Sequence, residues 1–135
     1  MFYHVVVVNL KGEPMGNVFQ DQTKFMVACD QTVCEWNEPQ LNMYHNLIKE
    51  ETQELQEAFD AHDRVEILDA LIDIIVVTAG AINSMGADGE SAWDEVMRTN
   101  FAKIDPDTGK VKKREDGKVL KPEGWESPNL KPYII

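Results

Sequence analysis

The chain has 135 residues, of which 43% are hydrophobic, and a formal net charge of −11. This is enough apolar sequence for one domain with a real core, and the acidic balance excludes a protein that wraps nucleic acid or coats an anionic membrane. No run reaches the roughly 18 apolar residues that cross a bilayer.

The charge is unevenly distributed. Residues 1–100 hold 18 acids and 5 bases, whereas residues 101–135 hold 6 acids and 8 bases. An acidic body with a basic tail suits a protein that holds metal on one side and phosphates on the other. Met1–Leu10 is apolar but lacks a basic start and a small-residue cleavage site, so it does not read as a signal peptide. Cys29 and Cys34 match neither a CxxC redox pair nor a zinc knuckle. They are expected to be reduced, buried thiols of a cytoplasmic protein.

In chain order, Phe2–Asn9 is β-branched and aromatic and is followed by the turn residues Lys11-Gly12-Glu13-Pro14, so a strand is expected there. A second short strand around Asn17–Phe19 is expected to pair with it. From about Asp21 the pattern is helical, with Phe25, Cys29 and Val33 on one side. Pro39 opens the next helix, being tolerated in a first turn. Leu41, Tyr44, Ile48, Leu55 and Phe59 carry that helix to about Ala61. The third begins near Asp63, where Asp63-Arg-Val-Glu66 fits a capping box, and ends near Asn83 ahead of Gly86. A fourth, about Gly89–Ala102, carries Trp93, Val96, Met97 and Phe101. Asp105–Gly109 reads as a plain turn; a calcium loop is disfavoured because Lys110 and Asp116 stand where an EF-hand needs Gly and Glu. Lys110–Leu120 alternates around Asp116-Gly117, a hairpin signal, and three prolines extend the remaining tail. The expected fold is a single mainly α domain. Residues 1–20 form a β extension, 21–102 a four-helix bundle, and 103–135 a basic hairpin and extended tail.

The acids carry the chemistry. Glu50-Glu51-x-x-Glu54 and Glu66-x-x-Asp69 are joined by Asp73, and the stretch Ile67–Ile82 contains no Lys, Arg or His. A buried carboxylate costs several kcal/mol unless it is paired or bound to metal. With about 100° per residue and Glu50 at zero, Glu51 falls at about 100°, on the edge of the stripe formed by Tyr44, Leu55, Ile48 and Phe59. On the following helix Glu66, Asp69 and Asp73 share an arc of about 60°, while Leu68, Leu71, Ile72, Ile74, Ile75 and Val76 cover the rest. A short connection at residues 61–63 makes the two helices antiparallel neighbours, so the acidic patches face each other. Oxygen ligands alone favour Mg²⁺, with Mn²⁺ able to replace it, over zinc. The bland alternative is a solvated acidic face for Glu50–Glu57 and a mere capping role for Glu66. Asp69 and Asp73 resist it, because a helix apolar nearly all round is a buried one.

E-E-x-x-E, eleven residues, then E-x-x-D resembles the signature of the all-α NTP pyrophosphatases, the MazG-like superfamily. The likeness continues through Asp73-Ile-Ile-Val-Val-Thr-Ala-Gly80 and Arg98-Thr-Asn100-Phe-Ala-Lys103. It reaches Arg114-Glu-Asp-Gly117-Lys118-Val-Leu-Lys121-Pro-Glu-Gly124-Trp125, which is similar to the tail of the bacterial and phage branch. The resemblance implies hydrolysis of nucleoside triphosphates, deoxynucleotides foremost, between the α- and β-phosphates to monophosphate and pyrophosphate. It implies Glu51, Glu54, Glu66 and Asp69 or Asp73 as metal ligands. Glu50 would act as general base or bind a further metal, and Asn100, Lys103, Arg114, Lys118 and Lys121 would hold sugar and phosphates. Phe25, Gln31, Trp36 and Asn83 are candidates for a base pocket, or else core and helix-end residues. A homodimer or homotetramer is implied, with no polymer or membrane partner. Phosphoribosyl-ATP pyrophosphohydrolysis and a non-catalytic nucleotide-binding or interaction role are the alternatives.

Overall fold

Each helix begins where a short polar side chain takes over backbone N–H groups that have no partner inside the helix. The computed structural model describes residues 8–13 and 16–135. Asn17 caps α1 (Val18–Ala28) by accepting from Gln20, and Asn37 caps α2 (Glu38–Asp60) by accepting from Gln40. Asp63 caps α3 (Arg64–Ser84), accepting from the N–H groups of Val65 and Glu66, and Asp88 caps α4 (Gly89–Phe101) through Ser91. Gly86 stops α3 as expected: its φ of +72° favours glycine, and a Cβ there would lie 2.8 Å from the Trp36 nitrogen.

Two expectations at the N-terminal side need correction. The strand around Asn17–Phe19 does not form; Asn17 is a helix cap and α1 starts at Val18, not Asp21. The local Asn side chain competes for backbone N–H groups and so opens a helix. The strand expected over Phe2–Asn9 lies, apart from Val8 and Asn9, outside the described residues. Asn9 itself organises a turn, its side-chain oxygen accepting from the N–H groups of Lys11 and Glu13. The cysteines are free as expected, but both are exposed rather than buried. Cys29 is the C-cap residue just past the end of α1.

The architecture is mainly helical. α2 and α3, joined by Ala61–Asp63, form the central antiparallel hairpin, and α1 packs on α3. The core is small: Met26, Tyr44 and Val77 are buried, with Val33, Leu47, Ile48 and Ala81 packed around them. Polar groups stitch the loop between α1 and α2 to the C-terminal end of α3. Asn83 donates to Thr23 (3.0 Å) and accepts from the Cys34 N–H (3.3 Å). The carbonyls of Asn83 and Ser84, which have no partner within α3, accept from the N–H groups of Glu35 and Asn37. Gln40 bridges the Ser84 hydroxyl and the Thr32 carbonyl, both at 2.8 Å.

Beyond α4 the tail makes two successive turns. β1 (Ile104–Asp105) and β2 (Lys110–Val111) pair antiparallel around the Asp105–Gly109 turn. The turn at Asp116-Gly117 follows, with Lys113 bridged to Val119. The chain then returns through a 3₁₀ turn at Lys131–Tyr133 to the α3–α4 junction, where Ile135 donates to the Gly86 carbonyl at 2.7 Å. Among the described residues, no helix is long and apolar enough to cross a membrane.

Asn83 is 6% exposed and serves two elements at once. Its replacement by Ala removes the bonds to Thr23 and Cys34 that join these elements and should cost about 1 kcal/mol in urea unfolding; a change within experimental error would show that the loop is held by other contacts.

Candidate metal centre

The α2–α3 hairpin brings together three of the acids singled out by sequence. Glu51 and Glu54 from α2 and Asp73 from α3 each offer a carboxylate oxygen, and these oxygens lie within 4.8 Å of one another. Glu54 reaches solvent, whereas Glu51 and Asp73 are half-buried. One oxygen of Glu51, Oε2, is buried with no hydrogen-bond partner among the described residues. Among the described residues the ion pairs are Arg98–Glu95 and Arg114–Asp116, and neither involves this group. Three acids crowd together without a protein cation.

The electrostatic consequence is large. Burial is the main force that pushes the Glu51 carboxyl up to about 7; the neighbouring Glu54 carboxyl and the charges of Asp73 and Asp69 add to this. Asp73 is also raised, chiefly by burial and then by the charges of Asp69 and Glu54. Like charges disfavour joint ionisation, and a divalent cation reverses that penalty. An all-carboxylate donor set suits a hard cation. The buried, unpartnered Glu51 oxygen is what such an ion would satisfy.

The other expected residues are placed as follows. Asp69 is exposed, one turn before Asp73, close enough for its charge to act on both Glu51 and Asp73. Glu50 and Glu66 are exposed and outside the three-oxygen group; Glu66 lies in the first turn of α3, where its N–H donates to Asp63. In the tail, Asn100 accepts from Lys103 at 3.2 Å. Lys103 and Lys121 both lie over the Trp125 ring, 5.1 and 4.8 Å from its centre. Trp125 is itself fixed by donating to the Thr99 carbonyl at 2.7 Å. Arg114 is paired with Asp116 through two contacts of 2.6 and 3.2 Å, and Lys118 shares that exposed turn. The organising role of Trp125 was missed from sequence, where the only signal was its place at the end of the tail motif.

Both amides of the candidate base pocket are engaged within the chain. Gln31 accepts from the Tyr44 hydroxyl, and Asn83 is used by Thr23, Met26 and Cys34. Phe25 and Trp36 are 62% and 60% exposed, so they are not core residues of this chain either.

Because the Glu51 carboxyl is raised in the fold, the native state binds more protons than the unfolded chain between the ordinary carboxylate range and about pH 7. Stability of the metal-free protein should therefore fall as pH rises through that window. Glu51→Gln removes the charge and should stabilise the metal-free protein by on the order of 1 kcal/mol at pH 8 and by nothing at pH 4. Equal effects at the two pH values would show that Glu51 is not strained by its neighbours. Metal binding must displace that proton, so affinity should weaken below about pH 7, a dependence that calorimetry in two buffers reads directly.

A family model described as phosphoribosyl-ATP pyrophosphohydrolase matches residues 29–100. That span is just over half of the 135 residues and includes all of α2 and α3 and the whole acidic group, ending ahead of the basic tail. No curated protein matches the sequence. The mainly helical fold, the facing carboxylates on its central hairpin and the family match agree, and the chain belongs to the phosphoribosyl-ATP pyrophosphohydrolase family, whose members point to pyrophosphohydrolase-type activity on a nucleotide.

Proposed function

We propose that this protein hydrolyses nucleoside triphosphates, deoxynucleotides foremost, at the α–β bond, releasing a monophosphate and pyrophosphate with Mg²⁺ or Mn²⁺ as cofactor. The observation that carries this reading is the buried, unpartnered Glu51 oxygen within 4.8 Å of carboxylate oxygens from Glu54 and Asp73. A bound divalent cation would polarise the phosphoryl oxygens and offset their charge. Glu51, Glu54 and Asp73 are the ligands, with Asp69 and Glu66 extending the acidic face. Glu50, exposed and next to Glu51 in sequence, would orient the attacking water as general base or bind a further ion.

The basic tail supplies the grip on phosphate. Lys103 and Lys121, gathered on Trp125, and Asn100 beside Lys103 form one group of donors. Arg114 and Lys118 form a second, in which Arg114 must exchange Asp116 for a phosphate to make bidentate contact.

Phosphoribosyl-ATP is the second reading of the substrate, favoured by the family model that matches residues 29–100. The long basic tail outside that match favours free nucleotides. A scaffold that binds nucleotide without turnover is disfavoured by the uncompensated acids, which serve nothing in a purely structural protein.

Exposed apolar surface supports self-association. Val65, Leu68, Ile72 and Ile75 are 75%, 61%, 50% and 45% exposed along one side of α3, and a stripe of this kind is an interface when a second copy covers it. Trp93, Met97 and Phe101 line a separate surface hollow on α4. A homodimer or homotetramer is expected in sedimentation, and a 15.3 kDa monomer would contradict it.

The test of activity is hydrolysis of each NTP and dNTP, and of phosphoribosyl-ATP, with Mg²⁺ or Mn²⁺, resolving monophosphate, pyrophosphate and orthophosphate. Monophosphate plus pyrophosphate is expected from one or a few nucleotides; turnover of phosphoribosyl-ATP alone selects the second reading. Glu54→Ala and Asp73→Ala should lower turnover at least a thousandfold while circular dichroism stays unchanged. A variant that keeps a near-normal rate removes its residue from the site.

A further inference from the structure

The distance between the two helices that carry the acids is fixed at a neighbouring contact. Tyr44 of α2 lies against Gly80 of α3, and a Cβ on Gly80 would fall 2.6 Å from Cδ1 and Cζ of the ring and closer still to Cε1. No other residue type fits there without displacing the ring or the helix. Seven residues after Tyr44 is Glu51, and seven before Gly80 is Asp73. In antiparallel helices equal steps keep partners opposite each other, and seven residues make nearly two turns, about 10.5 Å along the axis. The Tyr44–Gly80 and Glu51–Asp73 contacts are therefore successive tiers of one seam.

Both halves of the first tier are held in place. Tyr44 is 5% exposed, and its hydroxyl accepts from Gln22 and donates to Gln31, so the ring is tied to α1 and the loop that follows it. The Gly80 carbonyl accepts from the Ser84 hydroxyl at 2.7 Å. A glycine inside a helix costs about 1 kcal/mol relative to Ala, and the close approach of a ring accounts for its presence here.

We propose that the Tyr44–Gly80 contact is a spacer that sets the separation of the Glu51, Glu54 and Asp73 carboxylates for a small divalent cation, making Tyr44 and Gly80 positioning residues. This inference rests on the reading of the acidic group as a metal site. Mg²⁺ demands near-ideal octahedral geometry at about 2.0–2.1 Å, whereas Ca²⁺ accepts oxygens at about 2.3–2.6 Å in flexible arrangements. Widening the seam by a methyl group should therefore penalise Mg²⁺ far more than Ca²⁺. A loss of fold would penalise both alike.

The experiment is calorimetric titration of the 135-residue chain with MgCl₂ and, separately, CaCl₂, without nucleotide. Gly80→Ala is expected to weaken Mg²⁺ binding tenfold or more and Ca²⁺ binding less than threefold. Adding Tyr44→Leu to Gly80→Ala makes room for the methyl and should restore Mg²⁺ affinity to within about threefold of the parent. If Gly80→Ala does not fold, Tyr44→Leu alone takes its place: emptying the contact lets the seam close and should shift the Mg²⁺-to-Ca²⁺ affinity ratio at least threefold in the opposite direction, toward the smaller ion. An unchanged Mg²⁺-to-Ca²⁺ ratio in the folded single variant, or a double variant no better than Gly80→Ala, overturns the spacer. Failure of the parent protein to bind either ion overturns the metal site itself, a result distinct from these.

Discussion

A carboxylate oxygen that is out of water and has no partner is the constraint on which this molecule turns. Glu51 Oε2 is in that position, with Glu54 and Asp73 beside it and, among the described residues, no ion pair to compensate. Among the described residues the large buried apolar side chains of the core cluster are Met26, Tyr44 and Val77, and against so small a core such an arrangement opposes stability. The cost is local and electrostatic, since burial and neighbouring charge raise both Glu51 and Asp73. Binding a cation converts the same proximity from repulsion into chelation.

The rest of the architecture holds those acids in register. Asn37 and Asp63 fix where α2 and α3 begin, and the connection Ala61–Asp63 is too short for anything but an antiparallel pair. Gly80 lets Tyr44 approach. Asn83 and Ser84 fasten the preceding loop to the end of α3, so that α1 braces the hairpin from one side. The other side of α3, from Val65 to Val76, remains uncovered in a single chain. A helix apolar all round needs cover on every side, and α1 and α2 together supply only part of it.

Much of this was legible in the sequence. The three long helices α2, α3 and α4 followed from caps, apolar period and Gly86, because those signals are local. The two facing acidic patches followed from the 100° step and a short connection. The choice between Asp69 and Asp73 did not: they share a helix face, and only the axial offset of α2 against α3 brings Asp73 level with Glu51 and Glu54. Asn17 was misread because a cap and a short strand look alike until the side chain's partner is known. Cys29 and Cys34 were misplaced for a related reason, since apolar periodicity cannot reveal that α1 ends at Ala28. Trp125 was opaque as an organiser because Lys103 lies 22 residues before it in sequence and meets it only when the tail folds back.

The most direct test of the central claim is to locate the ion. Crystals grown with Mn²⁺ should show an anomalous difference peak bounded by Glu51, Glu54 and Asp73. Anomalous density confined to other parts of the molecule, with Glu51 Oε2 instead satisfied by a protein donor, would contradict the assignment of these three acids as a metal centre.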